Sequence, residues 1–191
     1  MIGILGLQGD VSEHRSYLLS RYPSIRIVKK PSDLIGIQGL VLPGGESTTM
    51  TKLIRSSGLE DPVRTLLLQG LPVWGTCAGT ILLSRGGIWP VVEAEVERNA
   101  YGTQLHSRVA RGRIAGKDVF IPMVFIRAPK IVHVSNNVEI LALDEGNIVA
   151  VRQGNAILTT FHPELTPDEP LFVDLFLNAV TGSRPPSSMK N

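Results

Sequence analysis

The chain has 191 residues, of which 43% are hydrophobic and 19% are charged, and its formal net charge at pH 7 is +2. This length and composition are typical of one globular domain with a substantial core, and they exclude a disordered chain and two full domains. No aromatic residues alternate with its loose basic group, which favours a solvated strand face over a nucleic-acid surface. That group consists of Arg98, Arg108, Arg111, Arg113 and Lys117.

The one cysteine cannot form an internal disulfide, so nothing indicates an oxidising compartment. The apolar run after Met1 ends by Gln8, which is too short for a signal peptide or a membrane span. We therefore expect a cytoplasmic protein with no membrane partner.

Strands and helices are predicted to alternate through the first 84 residues. An apolar strand over 2–7 leads into a turn at 8–10, and a helix over 11–21 follows, with Asp10 or Ser12 as its cap. Further strands are predicted over 25–28, 39–42 and 73–75, and further helices over 47–56 (capped by Ser47), 61–69 and 78–84. This alternation predicts a parallel sheet covered by helices on both faces.

From residue 105 to residue 161 the pattern changes to short β-rich segments separated by Gly, Pro and Asn. These segments cover 113–114, 119–121, 131–134, 139–142, 147–151 and 156–160. A last helix is predicted over about 169–180. We expect one α/β domain over 1–182 and a flexible tail over 183–191.

The stretch Gly75-Thr76-Cys77-Ala78-Gly79 places the only cysteine between two glycines, at the junction of a predicted strand and a predicted helix. This is the cysteine form of the nucleophile elbow, a sharp turn that projects a reactive side chain. The turn passes so close to its neighbours that a Cβ at either glycine would collide. Cys77 is therefore predicted to be a nucleophile, with the amide of Ala78 donating to an oxyanion. A buried, inert cysteine is the alternative.

A second glycine turn, Leu42-Pro43-Gly44-Gly45-Glu46-Ser47, follows another strand at the sheet edge where ligands collect in open α/β folds. Its consecutive glycines let amides turn inward as an anion-binding nest, so Gly45 is expected to supply a second oxyanion donor. The turn lacks the lysine of a phosphate-binding loop, and no dinucleotide fingerprint is present, which disfavours nucleotide binding. A plain turn before a helix is the alternative.

A cysteine nucleophile needs a base, and His162 is the best of four histidines. It ends a predicted strand and precedes Pro163, which restrains it to an extended conformation. Side chains at i and i+2 of an extended chain point the same way, about 7 Å apart. Glu164 is therefore predicted to fold back onto Nδ1 and to turn Nε2 towards the sulfur. An exposed turn is the alternative. The other histidines lie in patterns typical of structural positions: His14, His106 and His133.

Other cysteine chemistries fit less well. A cysteine phosphatase needs an arginine six residues after the thiol, where this chain has Leu83. An α/β-hydrolase places its acid before its histidine, whereas Glu164 follows. A zinc site needs more soft ligands than one cysteine provides, so no metal is predicted.

The elbow and the stretch Phe161-His162-Pro163-Glu164 together resemble the class I, or triad, glutamine amidotransferases. Further motifs over most of the chain are similar to the glutaminase subunits of pyridoxal 5′-phosphate synthases. These motifs are Gly6-Leu7-Gln8-Gly9, Leu42-Pro43-Gly44-Gly45-Glu46-Ser47-Thr48-Thr49, Val96-Glu97-Arg98-Asn99-Ala100-Tyr101-Gly102 and Phe125-Ile126-Arg127-Ala128-Pro129.

The resemblance implies a three-layer αβα sandwich, flavodoxin-like, with a mixed, mostly parallel central sheet. It implies hydrolysis of L-glutamine to glutamate and ammonia through a glutamyl thioester, with Cys77 as nucleophile, His162 as acid–base and Glu164 as its orienter. No cofactor is implied. The residues implied for the glutamine pocket are Gly44, Gly45, Glu46, Arg98, Ile126 and Arg127.

The resemblance also implies a hetero-oligomeric complex with a synthase subunit, a (βα)₈ barrel that receives ammonia through an internal channel and activates the glutaminase. Gln8 is expected near the pocket and the docking surface. Two departures from the family concern partner contact: the stretch 84–95 is short, and Thr103 stands where the family usually has arginine. A glutaminase with another acceptor, as in histidine biosynthesis, and a non-catalytic binding subunit remain alternatives.

Overall fold

Strands and helices alternate in the first half of the chain, and strands dominate the second half. The computed structural model describes residues 1–98 and 107–182. Its strands are β1 (Ile2–Leu5), β2 (Ile25–Val28), β3 (Gly39–Leu42), β4 (Val73–Thr76), β5 (Ala94–Glu97), β6 (Arg108–Ile114), β7 (Phe120–Phe125), β8 (Lys130–Val134), β9 (Glu139–Asp144), β10 (Asn147–Gln153) and β11 (Ala156–Thr159). Its α-helices are α1 (Val11–Leu19), α2 (Ser47–Ser56), α3 (Glu60–Leu68), α4 (Ala78–Leu83) and α5 (Leu171–Thr181), and short 3₁₀ helices cover Pro31–Leu34 and Pro163–Leu165.

The sheet changes from parallel to antiparallel pairing at β11. Strands β2, β1, β3, β4 and β11 lie side by side in that order, and each pair is parallel. The sheet continues through β10, β9, β6 and β7 with antiparallel pairs, while β8 pairs with β10 and with β5. Because β1, β3, β4 and β11 are parallel, the loops that follow them meet at one edge of the sheet.

Alternate side chains of the central strands pack against helices on opposite faces of the sheet. On one face, Leu42 and Val73 join the apolar side chains of α2, α3 and α4. On the other face, Val41 and Trp74 join those of α1 and α5. The α/β class and the mixed sheet with helices on both faces are confirmed.

Some predicted elements differ from the structure in extent. The strand predicted at 113–114 is only the end of β6, and β5 has no predicted counterpart. Arg111 and Arg113 of β6 are exposed and lie opposite Pro122 and Phe120 of β7. Because charged residues occupy these positions, the sequence of β6 lacks the clear apolar alternation that predicts a strand. The predicted strand 2–7 ends at Leu5, where burial on both faces also ends.

Several sequence features lie outside the described residues: His106, Thr103, the end of the motif that begins at Val96, and the predicted tail 183–191. Within residues 1–98 and 107–182, no helix combines the length and the apolar character that crossing a bilayer requires.

Candidate active site

Cys77 lies in the turn between β4 and α4, at the edge where the parallel strands end. Its φ of 46° is in the left-handed region, which is uncommon for a residue with a side chain. The amide of Cys77 donates to the carbonyl of Thr159 at 2.8 Å, and the hydroxyl of Thr80 donates to the same carbonyl at 2.8 Å. These bonds to β11 hold a backbone conformation that would otherwise relax.

The glycines on either side of Cys77 have no room for a side chain. A Cβ at Gly75 would lie 2.7 Å from the carbonyl oxygen of Gly79, and a Cβ at Gly79 would overlap the carbonyl oxygen of Leu42. Both obstacles are backbone atoms, which cannot move without shifting α4 or β3. The predicted steric reason for the two glycines is confirmed.

His162 and Glu164 form a buried pair at the end of β11. Nδ1 of His162 donates to Oε1 of Glu164 at 2.7 Å, and only 3% of His162 is exposed. The amide of His162 donates to the carbonyl of Val124, which anchors the residue to β7. The contact was predicted, but the extended chain predicted to bring it about is wrong. Pro163–Leu165 is a 3₁₀ helix, and this turn returns Glu164 to the ring.

The other ring nitrogen of His162, Nε2, is buried and has no hydrogen-bond partner among the described residues. The thiol of Cys77 instead donates to the carbonyl of Ile126, with Sγ 3.6 Å from that oxygen. Cys77 and His162 line the same cleft, so the sulfur and the imidazole are neighbours without a formed hydrogen bond. The resting relay is complete on the carboxylate side only.

Two carboxylates face Nδ1 of His162. In addition to Glu164, Oδ2 of Asp10 lies 3.2 Å from Nδ1. Burial alone would lower the pKa of His162, but Asp10, the neighbouring Cys77 and Glu164 outweigh it and raise the pKa far above the ordinary 6.5. The same hydrogen bond to His162 lowers the pKa of Asp10. These contacts favour the protonated imidazole in the resting site.

Asp10 was predicted as a possible helix cap, and this interpretation is wrong for its side chain. Asp10 occupies the position before α1, but its carboxylate bonds to none of the helix amides and points to His162 instead. Gly44 allows this contact, because a Cβ there would overlap Oδ2 of Asp10 and lie 2.5 Å from Cε1 of His162. Gly44 thus lies against the imidazole.

The loop after β3 faces the elbow across the cleft. Gly45 has a φ of 152°, and the neighbouring amide of Glu46 donates to Oε1 of Gln8 at 2.9 Å. The carboxylate of Glu46 accepts from the amides of Thr48 and Thr49. The hydroxyl of Thr49 and these two amides lower the pKa of Glu46 to about 2. Glu46, rather than the predicted Ser47, therefore caps α2.

A cleft of about 830 Å³ opens beside the sulfur. Arg98 and Arg127 are exposed at this cleft and provide two positive charges that a substrate carboxylate can pair with. Arg127 has a φ of 48°, a second left-handed residue at the site. The predicted site residues that line the cleft are Gln8, Gly45, Glu46, Cys77, Ala78, Arg98, Ile126, Arg127 and His162.

Sequence patterns alone missed several of these residues. Arg98, Ile126 and Arg127 lie on or beside antiparallel strands with no local catalytic motif, and only the family resemblance indicated them. Asp10 and His14 were placed as a cap and a structural residue. Their spacing of four was the available signal, because residues i and i+4 share one side of a helix.

One described cluster has the spacing of a metal site: Asp10, His162 and Glu164 place ligand atoms within 4.8 Å of one another. In the structure these atoms bond to each other, since Nδ1 already donates towards both carboxylates. The other ring nitrogen, Nε2, has no hydrogen-bond partner among the described residues, and Cys77 lies beside the ring. These contacts fit the acid–base relay predicted from the sequence better than they fit a metal site.

The model of the SNO glutamine amidotransferase family matches residues 4–182. Pyridoxal 5′-phosphate synthase subunit PdxT of Caldicellulosiruptor saccharolyticus is 49% identical over 181 residues, which cover 86% of this chain and 90% of that protein. The PdxT subunit of Geobacillus kaustophilus is 45% identical and covers 99% of both chains. A crystal structure of a glutamine amidotransferase superimposes with a TM-score of 0.84 at 39% identity, covering 94% of this chain and 98% of that one.

Proposed function

Because this chain belongs to the SNO glutamine amidotransferase family, we propose that it is the glutaminase subunit of a pyridoxal 5′-phosphate synthase. The observation that carries the proposal is the position of Cys77 beside His162, which is itself bonded to Glu164, at a cleft with two exposed arginines. Relatives that cover nearly the whole chain carry the name of this synthase subunit. The substrate of the reaction is L-glutamine.

Glutamine binding is assigned to charged groups at the cleft. Arg98 and Arg127 match the α-carboxylate of the substrate, and Glu46 carries a negative charge for the α-ammonium group. Hydrogen bonds to α2 amides hold Glu46 in one orientation and keep it ionised. Ile126 and the glycine loop at 44–45 complete the walls around the side-chain amide.

Acylation begins when the thiol of Cys77 gives up the proton that it donates to Ile126, which passes to solvent in the open cleft and leaves a thiolate beside the protonated His162. The sulfur leaves the carbonyl of Ile126 and attacks the amide carbon of glutamine, while the amides of Ala78 and Gly45 hold the oxyanion. The carbon–nitrogen bond then breaks, and Nε2 of His162 gives its proton to the departing ammonia. A γ-glutamyl thioester on Cys77 and a neutral imidazole remain.

Deacylation returns the site to its starting state. Nε2 of His162 takes a proton from water, and the water oxygen attacks the thioester carbon. The carbon–sulfur bond breaks, glutamate leaves, and the thiolate and imidazolium are restored. Glu164 keeps Nδ1 protonated throughout, so Nε2 is the nitrogen that exchanges protons in both steps.

The partner proposed for the complex is a synthase subunit with a (βα)₈ barrel, which takes ammonia directly. Gln8 links the turn after β1 to the loop at Gly45 and Glu46, so a partner seated on this turn would act on the oxyanion donors. We place the complex in the cytoplasm, because a thiol used for catalysis must stay reduced. We assign residues 1–182 to one domain, which the family match over residues 4–182 supports.

The test is ammonia release from L-glutamine, measured with and without the synthase subunit of the same organism. The proposal predicts that the partner greatly increases ammonia release by the wild type and that the Cys77→Ala variant releases no ammonia with or without it. Thermal unfolding of the variant is the control for folding. Full activity in the alanine variant would contradict the chemistry. Activation by a synthase of another pathway would contradict only the acceptor.

A further inference from the structure

His14 is a fully buried histidine of α1 that lies beside the relay without touching the cleft. Its Nδ1 donates to the carbonyl oxygen of Asp10 at 2.8 Å, and because a carbonyl only accepts, this nitrogen carries a hydrogen. Its Nε2 lies 3.1 Å from the hydroxyl of Thr76 and 3.4 Å from Oε2 of Glu164. Each ring nitrogen therefore faces a different part of the catalytic apparatus.

Glu164 has one satisfied oxygen and one unsatisfied oxygen. Oε1 accepts from His162, whereas Oε2 is buried and has no formed hydrogen bond within the described residues. A buried carboxylate oxygen without a donor is costly, so the group that faces it matters for how the carboxylate is held. Here that group is the imidazole of His14.

We propose that His14 is a positioning residue that holds both carboxylates facing Nδ1 of His162. In this arrangement both ring nitrogens of His14 carry a hydrogen: Nε2 donates towards Oε2 and so orients Glu164, and Nδ1 holds the backbone turn that carries Asp10. One buried imidazole thereby sets the direction in which the catalytic imidazole points. This inference rests on the proposed glutaminase reaction.

The reaction gives such a residue a use. When His162 passes its proton to ammonia, Glu164 loses the positive charge beside Oε1, and it must keep its orientation until the water step is complete. A second contact at Oε2 limits rotation of the carboxylate during this interval. The hydroxyl oxygen of Thr76, on the strand that leads into Cys77, lies 3.1 Å from Nε2 of His14 and limits movement of the His14 ring.

A structural role makes a different prediction. His14 also packs edge-on against Trp74, with ring centroids 6.3 Å apart, and a residue needed only for packing would act through volume. Asparagine and glutamine separate these roles, because the amide nitrogen of asparagine overlies Nδ1 of histidine and that of glutamine overlies Nε2. His14→Asn keeps the donor to Asp10, and His14→Gln keeps the group that faces Glu164.

The experiment compares both variants with the wild type in the presence of the synthase subunit. His14→Gln is expected to retain kcat within about threefold, and His14→Asn to lose kcat by about tenfold to a hundredfold with KM nearly unchanged, because orientation of the acid–base group acts in the transition state. The matched controls are His133→Asn and His133→Gln, on an exposed histidine of β8, which are expected to leave both constants unchanged.

Equal kcat in the wild type and the asparagine variant would overturn the proposal, and so would a loss confined to the glutamine variant. If His14→Asn does not fold, the glutamine variant decides: folded and active supports the proposal, and folded and inactive contradicts it. In a Glu164→Gln background, His14→Asn is expected to cost nothing further, because it acts through Glu164. A full additional loss there would contradict that route.

A second readout does not depend on turnover. Nuclear magnetic resonance titration of the His162 ring is expected to give a lower pKa in His14→Asn and an unchanged pKa in His14→Gln, because a poorly oriented Glu164 favours the imidazolium less. An unchanged pKa in both variants would contradict the proposal even if the wild type released no ammonia. Absence of ammonia release in the wild type would contradict the proposed function alone.

Discussion

The two sides of the His162 ring differ in how far they are assembled. Behind the ring, Glu164 and Asp10 both face Nδ1, and His14 packs behind them in a region that excludes water. In front of the ring, Nε2 has no hydrogen-bond partner among the described residues, and the thiol of Cys77 bonds to a main-chain carbonyl. In this structure the contacts behind the ring are formed, and the contact between the ring and the sulfur is not.

This difference indicates where activation acts. The carboxylate side is built from the start of α1 and the 3₁₀ turn after β11. His162 bonds to Glu164 at 2.7 Å, and His14 bonds to the carbonyl of Asp10 at 2.8 Å. The sulfur side depends on two loops, the glycine turn after β3 and the segment around Ile126, and on residues with left-handed backbones such as Cys77 and Arg127. We expect substrate or partner to rearrange the sulfur side and to leave the carboxylate side unchanged.

The largest effect is expected from Glu164→Gln, which removes the charge behind the ring. The amide of the new glutamine can donate to Nδ1, which allows the neutral tautomer with its hydrogen on Nε2. In that tautomer Nε2 can no longer accept a proton, as in other triads. We expect kcat for ammonia release with the synthase present to fall by about 10³- to 10⁴-fold. Glu13→Gln, on the exposed face of the nearby α1, is the control. A loss below tenfold would show that the carboxylate side does not orient the base.

Gly44→Ala tests the space in which the two sides meet. The new methyl group would overlap Oδ2 of Asp10 and lie 2.5 Å from Cε1 of His162, so the ring must shift. A displacement of this size is expected to lower kcat by about a hundredfold. Gly112→Ala on β6 is the matched control, since its methyl group would meet the flexible side chain of Met123 away from the cleft.

The two glycine variants are compared by steady-state kinetics and thermal unfolding. Overpacking lowers stability in both, by about 1–3 kcal/mol. Only Gly44→Ala is expected to lower kcat. Equal kinetic losses in the two variants would mean that Gly44 serves the core rather than the ring.

A smaller effect is expected from Asp10→Asn, which keeps the shape of the side chain and removes one of the two charges at Nδ1. Less charge favours the imidazolium less, so the pKa of His162 falls. The alkaline limb of the pH profile of kcat/KM should move to lower pH, while activity at neutral pH changes by less than about tenfold. An alkaline limb that stays in place would contradict a role for Asp10 at the ring.

The smallest effect concerns stability. The pKa of His162 is higher in the folded protein than the 6.5 of an ordinary histidine, so its contribution to the free energy of unfolding is complete below pH 6.5. The contribution declines as pH rises, by up to about 1.4 kcal/mol per pH unit, until the folded-state pKa is reached. We therefore expect stability to fall between pH 7 and pH 9 more steeply with His162 than in a His162→Gln variant.

This comparison is best made in a Cys77→Ala background by chemical denaturation, because the alanine removes the titration of the thiol from both proteins. Parallel slopes in the two proteins would contradict a protonated resting His162. A steeper slope in the glutamine variant would reverse the sign and contradict it more strongly.

The carboxyl-end loops of the parallel strands were predictable from sequence because they carry their own signals. Tight turns are indicated by the glycines on both sides of Cys77 and by the proline after His162. Because β3, β4 and β11 are parallel, these turns lie at one edge of the sheet. The residues of the antiparallel half carried no such signal. From sequence patterns alone, Arg98 was interpreted as a solvated surface charge, whereas the fold places it at the cleft.

The Asp10 side chain and the 3₁₀ turn at Glu164 show why the remaining details were not predictable. A carboxylate before a helix ordinarily bonds to the helix amides, and only tertiary contact with His162 draws Asp10 away. Proline restrains the backbone of the residue before it but does not determine the conformation of the residues that follow. The hydrogen bond between His162 and Glu164 was therefore predicted, whereas the 3₁₀ helix that forms it was not. Long-range contacts decided both cases.

The most direct test of the relay is to trap the thioester. The enzyme is mixed with the synthase subunit and excess L-glutamine, quenched in acid within the turnover time, and digested for mass spectrometry. The relay predicts a γ-glutamyl group on the peptide that contains Cys77, with more adduct in Glu164→Gln if deacylation slows more than acylation. Ammonia release that continues in Cys77→Ala, with no adduct on Cys77 in the wild type, would contradict the relay.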